Sequence, residues 1–509
     1  MQHRAAGREG AVPAVDEVFV AFPFRRLADA ALTKARELGA THADFRFERE
    51  KGQSVRARDT ELESMVTTES LSYSVRVVSK GAWGFASSDT LTPEAAAATA
   101  AKAIEVAAVL AALNSEPVAL APEPPYEDTY VSSFEIDPFA VDDDDKVAFL
   151  LGVNEKVLAS RKVDHVDFEV RLVLENKYFA NLDGSSITQQ RVRVQGDFDA
   201  VRIDHETGAF ETMRSCGLPQ GRGWEHFASG YDFMGQAEEI PELLEEKMRA
   251  PSVAPGRYDL VLDPTNLWLT IHESVGHATE LDRVLGYEAA YAGTSFATLD
   301  KRNTLQYGSP LMHVTGDRTV EHGLSTVGYD DEGVKAQQWD LVRDGILVGY
   351  QLNRQMALRQ GFGRSNGCAF AESGSQVPLQ RMPNISLQPG ARPVSLGDLL
   401  GGVEEGIYIV GDKSWSIDMQ RYNFQFTGQK FFRIHHGKLA GQLKDVAYQA
   451  TTTDFWNSMD AIGGPETYVL GGAFNCGKGQ PGQVAPVSHG APAALFRQVN
   501  VLNTAQEGH

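Results

Sequence analysis

Residues 263–286 hold the feature that most restricts the local fold. Asp263-Pro264 opens a helix: the Asp263 side chain can cap free backbone N–H groups, and Pro264 suits the first helical position. Leu267, Ile271 and Val275 recur at four-residue spacing and predict a buried stripe. Gly286 supplies a stop. Beside the stripe runs His272-Glu273-Ser274-Val275-Gly276-His277. Histidines four residues apart diverge by about 40° around an ideal helix, whereas five residues give about 140°. Two ligands of one ion cannot easily diverge that far. The spacing therefore predicts a distortion, placed at Gly276. Either a π-bulge closes an i to i+5 turn, or the helix ends early and His277 belongs to a loop.

A catalytic zinc usually takes three protein ligands and keeps one position for water. Two histidines leave a third to find. The candidates are Cys476, Cys368, Glu280, Asp282 and the distant histidines. Cys476 stands in Asn475-Cys476-Gly477-Lys478-Gly479-Gln480-Pro481-Gly482, a segment expected to be a loop, too glycine-rich for a packed strand. Lys478, or zinc itself, would favour its thiolate. Cys368 is the weaker contender, and Cys216 reads as structural. The motif alone does not decide the matter, since chance yields His-Glu-x-x-x-His in roughly a few per cent of chains this long.

At 509 residues the chain exceeds one core, and about 150 residues per domain predicts two to four domains. Residues 1–18 are expected to be a disordered tail without the apolar segment of a signal peptide. A helix over Pro23–Leu38 precedes short strands at Ala43–Glu48, Ser54–Arg58, Glu63–Thr68, Tyr73–Val78 and Ala82–Ser87. An Ala-rich helix over Thr92–Leu113 and a Pro/Asp-rich linker over 120–145 follow. The order then repeats: a helix over Lys146–Ser160, strands within 166–214, and a helix over Gln236–Arg249. The junctions match too, His42-Ala43-Asp44-Phe45 against His165-Val166-Asp167-Phe168. We expect an α+β protein. Residues 19–250 form an N-terminal α/β domain of duplicated helix–antiparallel meander–helix units. Residues 251–509 form a β-rich domain carrying the helix described above, with strands at Leu341–Val342, Ile346–Leu352, Ile407–Val410, Phe424–Phe426 and Phe431–Ile434.

The net charge of -21 argues against a nucleic-acid binder, which needs a basic face. No apolar run is long enough to span a bilayer, so no membrane partner is expected. Three cysteines form no disulfide framework, and a reducing compartment, the cytoplasm, fits best.

The chain resembles the TldD/PmbA family of zinc metalloproteases, specifically its active TldD-like branch. The resemblance runs through Arg76-Val77-Val78, Gly81-Ala82-Trp83-Gly84-Phe85-Ala86-Ser87, His272 to Asp282, Asp330-Asp331-Glu332-Gly333, Gly345 to Tyr350, and Cys476-Gly477-Lys478-Gly479-Gln480. It implies that His272, His277 and Cys476 bind zinc (Zn2+) and that Glu273 is the catalytic acid/base. It implies hydrolysis of unfolded peptides, or removal of aminoacyl groups from small biosynthetic intermediates. It also implies a dimer enclosing the site, a homodimer or a heterodimer with a PmbA-like subunit. The chain departs from the family after Gly367, where Cys368-Ala369-Phe370 replaces basic residues. A third reading is a binding or regulatory protein whose zinc is structural.

In the mechanism this implies, zinc lowers the pKa of its water from about 16 toward about 7. Glu273 takes the proton and passes it to the leaving amine. A thiolate ligand makes a weaker Lewis acid, which calls for oxyanion donors. His313, His322, Tyr329 and Arg421 are the candidates. Asp330-Asp331-Glu332-Gly333 reads as a polar turn with structural hydrogen bonds. His435-His436 reads as a hairpin end, and Trp415-Ser416-Ile417-Asp418 as packing plus a turn. A β-rich domain can also bind an extended peptide at a sheet edge.

Overall fold

The computed structural model describes residues 14–114, 116–479 and 481–505, and it is α+β. Helix α1 (Glu17–Val20) starts inside the expected tail. Asp16 caps it, pairs with Arg49 at 2.6 Å and donates its N–H to Gln190 Oε1 at 2.7 Å. Residues 14–18 are thus held in place, contrary to expectation, and residues 1–13 of that tail lie outside the described ones.

Helix α2 (Phe24–Glu37) buries Leu27, Ala31 and Ala35 on one face, as their spacing predicts. The five short strands expected next are three long ones: β1 (His42–Arg58), β2 (Glu61–Ser79) and β3 (Ala82–Ser88). The polar stretches between them stay in the ladder, with Gly52 opposite Thr68 and Glu50 opposite Ser70. Backbone pairing needs no apolar side chain, so strand continues where the hydrophobic pattern stops. Then come α3 (Pro93–Ala111), β4 (Glu127–Val131), α4 (Asp143–Ala159), β5 (His165–Asn181), β6 (Ser186–Ile203), β7 (Phe210–Arg214) and α5 (Phe233–Arg249). The segment expected as a linker thus contains β4, which pairs parallel with β6.

The order α2-β1-β2-β3-α3 is repeated as α4-β5-β6-β7-α5. The two meanders join along β1 and β5, antiparallel from Asp44 opposite Asn181 to Arg58 opposite Asp167. One sheet results, in the order β3-β2-β1-β5-β6-β4, with β7 also on β6. Phe45 and Phe168 of the matching junctions are fully buried.

In the C-terminal half, β8 (Gly256–Leu262) lies between the parallel strand Glu405–Ile417 and the antiparallel strand Ala494–Asn503. Val446–Thr451 and Asn423–His435 continue the order, and Asn423–His435 pairs back onto Glu405–Ile417. Five strands therefore close on themselves, which leaves no free edge among them. The expected strand Ile346–Leu352 survives only as Ile346–Leu347. The N–H groups of Val348 and Gly349 both turn to Leu341 O, which ends the ladder.

The two halves meet across buried ion pairs supplied by segments far apart in sequence. Arg76 reaches Asp44 at 2.7 Å and Glu332 at 3.1 Å, and Lys177 reaches Asp331 at 3.1 Å. Asp330 accepts from the backbone N–H groups of Glu332, Val334 and Ala369, and Gly333 takes φ +75°. The acidic run is a turn, as expected, and its acids also join the halves. His435 and His436 end a hairpin against Glu405 and Glu404. Trp415 is not packed as expected: it is 53% exposed, while Asp418 does organise a turn.

Candidate metal centre

Helix α6 (Pro264–Ile271) opens as its sequence predicts, with Asp263 accepting from Thr265 N–H. It is buried all round. Asn266 Nδ2 donates to Gly411 O and Thr427 O, and Thr270 meets the Tyr448 hydroxyl at 2.7 Å. These bonds pin the helix against the closed strands. At His272 the helix widens. Residues His272–Gly276 form a π turn, with His277 N–H bonded to His272 O. A short 3-10 turn over His277–Thr279 and an extended Glu280 follow. The expected single helix to Gly286 is therefore broken, at the distortion that the histidine spacing demands. Carbonyls freed by the wider turn are taken by side chains: Ser274 O by Tyr307, Gly276 O by Gln351 and Val275 O by Thr279.

The π turn brings the two imidazoles together, with ring centroids 4.7 Å apart. Cys476 joins them from the strand Val469–Lys478, its Sγ 3.7 Å from His277 Nε2. One donor atom from each of His272, His277 and Cys476 lies within 4.8 Å of the others, and all three residues are buried. Cys476 was expected on a loop. Gly477, just after it, stays in the ladder opposite Val484, and Gly471, before it, serves close approach: a Cβ there would lie 2.8 Å from Trp268. Gln480 of that segment lies outside the described residues.

The proton positions follow from the partners. His277 Nδ1 lies 2.8 Å from Glu280 Oε2, so it donates there and leaves Nε2 facing Cys476. His272 Nδ1 lies 2.7 Å from His489 Nε2. Burial holds both His272 and His277 below the ordinary imidazole value, which keeps them neutral, the form that ligates metal. Burial pushes the Cys476 thiol up, and the Arg381 guanidinium pulls it the other way. Burial would also raise Glu280, yet Lys478, His277 and Arg283 hold it well below the usual carboxylate range. Lys478 was expected beside the thiolate. It binds Glu280 at 3.0 Å and Asp282 at 2.8 Å instead.

The remaining candidates separate cleanly. Glu280 and Asp282 act behind the cluster. Cys368 is fully buried, donates to Asn366 Oδ1 at 3.2 Å and is pushed up to about 12 by burial. Cys216 lines the cleft in front of the cluster, its thiol pushed up to about 11 by burial. Of the four oxyanion candidates, only Arg421 reaches the site, with Nη1 2.9 Å from Glu273 Oε2. His313 bonds Asp340, His322 bonds Gly221 O and Tyr329 bonds Asp128. His489 had no separate signal in the sequence; it was one distant histidine among several.

A cleft of about 570 Å³ opens onto these residues. One wall carries His272, Glu273, His277, Arg421 and Cys476, and the other carries Glu169, Arg171 and Asp197 of the N-terminal sheet. Burial pushes the Asp197 carboxyl up to about 6. Two neutral imidazoles and a thiol, with a carboxylate beside them, form a donor set suited to zinc.

Residues 255–503 match the PmbA/TldA metallopeptidase C-terminal domain, and residues 43–107 match the PmbA/TldA metallopeptidase domain 1. The chain is 28% identical over 472 residues to a metalloprotease of Methanothermobacter thermautotrophicus, covering 91% of this chain and 96% of the other. It is 24% identical to the zinc metalloprotease TldD homolog of Saccharolobus solfataricus, covering 92% and 98%. The fold is similar to that of TldE from Thermococcus kodakarensis, with a TM-score of 0.73 at 15% identity over 93% of this chain and 99% of that one. The chain belongs to the PmbA/TldD family of metallopeptidases. Among the described residues, no helix is long and apolar enough to cross a membrane.

Proposed function

We propose that this chain is a zinc-dependent metallopeptidase of the TldD-like branch that hydrolyses amide bonds in unfolded peptides. The carrying observation is the convergence of His272, His277 and Cys476 on one point of a cleft that Glu273 also lines. The word zinc in the name of the S. solfataricus relative supports the choice of metal. When bound, zinc supplies Lewis-acid polarisation of the scissile carbonyl and acidifies a water. Arg421 holds Glu273 Oε2, which leaves Oε1 to accept the proton of the attacking water. Glu273 then returns that proton to the leaving amine. Arg421 adds positive charge on the same wall, where charge develops on the substrate oxygen.

The substrate main chain is proposed to lie along Val469–Lys478. Among the described residues this strand pairs on one edge only, with Gln483–Ala491, and Gly472, Ala473 and Asn475 line the cleft. Main-chain pairing there favours extended, unfolded segments and reads few side chains. Residues 19–250 and 251–509 are taken as the two domains whose junction forms the cleft. The working unit is proposed to be a dimer, either of this chain or with a PmbA-like subunit. Three free cysteines suit a reducing compartment, and the cytoplasm is proposed.

The test is Glu273→Gln. The variant is expected to retain zinc and lose cleavage of an unfolded protein. Cleavage at the parent rate removes Glu273 from the mechanism. Hydrolysis of small aminoacyl amides without cleavage of unfolded protein replaces the substrate assignment.

A further inference from the structure

His489 lies in the strand Gln483–Ala491, fully buried, with both ring nitrogens engaged. Nδ1 is 2.9 Å from Ile385 O, and Nε2 is 2.7 Å from His272 Nδ1. A carbonyl oxygen only accepts, so His489 carries its proton on Nδ1. A neutral His489 then offers a lone pair at Nε2 and must accept from its partner. His272 therefore donates from Nδ1 and keeps Nε2 unprotonated, the form in which that nitrogen can ligate a metal shared with His277 and Cys476. The ring cannot easily rotate out of this arrangement. It stacks on Trp268 with centroids 6.1 Å apart and an 11° interplanar angle. The next residue is tied down as well, Gly490 N–H donating to Ser386 Oγ at 2.9 Å.

We propose that His489 is a positioning residue for the metal centre, one that fixes the tautomer and ring angle of His272. The proposal rests on the zinc reading above. It gives the two histidine ligands different supports. Glu280 backs His277 with a carboxylate, while a neutral imidazole, itself held by a backbone carbonyl, backs His272. A partner of this kind orders a ligand before metal arrives and typically changes affinity by 10–100-fold when lost.

The test compares His489→Leu and His489→Gln in the full chain. Glutamine can accept from His272 and donate to Ile385 O; leucine can do neither. Zinc dissociation constants are measured by competition with a chromophoric chelator, and cobalt(II) absorption reports the ligand geometry. The leucine variant is expected to weaken zinc by about 10–100-fold and to shift the cobalt bands, while glutamine stays within about threefold of the parent. A folded leucine variant with parental affinity and spectrum overturns the proposal. Should the leucine variant fail to fold, the glutamine variant decides: a folded protein at least about tenfold weaker than the parent overturns it. A parent protein that binds no zinc overturns the metal reading instead.

Discussion

Arg421 Nη1 lies 2.9 Å from Glu273 Oε2, and both side chains are largely buried. The arginine is held from behind. Its backbone takes φ +62°, inside a turn where Asp418 accepts from the N–H groups of Gln420, Tyr422 and Asn423. Nη2 donates to Ala292 O at 3.2 Å. The guanidinium is thus fixed before it meets the carboxylate, and it in turn fixes which Glu273 oxygen stays free. Arg421→Ala is expected to lower kcat/KM by about 10²-fold with zinc content unchanged. Arg421→Lys should recover only part of that, because a lysine lacks the planar fork. Peptide cleavage and metal analysis of the two variants decide it, and parental activity in the alanine variant sinks the idea.

Gly276 ends the π turn with an ordinary φ of -56°, so a side chain there meets neighbours rather than backbone strain. A Cβ would lie 2.6 Å from Met382 Sδ and 2.8 Å from its Cε. Met382 is fully buried, yet its thioether end is flexible. Gly276→Ala is expected to cost about 1–3 kcal/mol by overpacking. Combined with Met382→Ala, the two costs should fall short of additivity by about 1 kcal/mol or more. Urea unfolding of the four proteins measures this, and strict additivity would falsify the contact.

The histidine spacing made the π turn legible, because one ion cannot be shared across 140° of an ideal helix. Cys476 was legible as a residue type but not as a strand residue. Gly477 stays in the ladder opposite Val484, and Gly471 makes room for Trp268, a contact invisible in a local window. Polar stretches around Gly52 hid the length of β1 and β2, since their pairing is held by backbone and by polar side-chain pairs such as Gln53–Thr67 and Arg49–Glu69 rather than by an apolar pattern. The support of His272 by His489 spans 217 positions and depends on a carbonyl of Ile385. No spacing rule reports such a bond. The acidic run at 330–332 was legible as a turn, whereas its ion pairs with Arg76 and Lys177 required the two halves to be placed together.

Glu48 sits in that junction with neither carboxylate oxygen hydrogen-bonded among the described residues. Lys177 lies 3.5 Å away and Arg46 3.8 Å away. Burial pushes its carboxyl up to about 8, against the pull of Lys177 and Arg46 and with the push of Glu175. The unfolded value is about 4.3. Between these values the folded protein keeps a proton that the unfolded chain has lost, so stability falls as pH rises from about 4 through about 8. Glu48→Gln has no such proton. Its stability is expected to fall less steeply between pH 5 and 8, by a difference of at most a few kcal/mol. Asp330 and Asp197, raised to about 7 and about 6, contribute in the same direction in both proteins and cancel from the comparison. Equal slopes in chemical unfolding across that range would remove Glu48 as the source.

The strand that carries Cys476 also sets what the cleft should read. Its pairing with Gln483–Ala491 slips between Ala473 and Cys476, so the strand bends where it delivers the thiol. Gly472, Ala473 and Gly477 line the cleft with little or no side chain, and Asn475 adds one carboxamide. A peptide laid along that edge pairs through every second residue, and its alternate side chains point away. Each main-chain bond contributes about 1 kcal/mol, or roughly fivefold. A series of peptides N-methylated at successive positions near the scissile bond should therefore show an alternating profile. Every second methyl group should slow cleavage by about fivefold or more, and the intervening ones should matter less. Alanine replacement along the same peptide should change rates by smaller factors, because few side chains are gripped. A flat methylation profile combined with a strong dependence on one side chain would mean that the cleft recognises that side chain and not the strand.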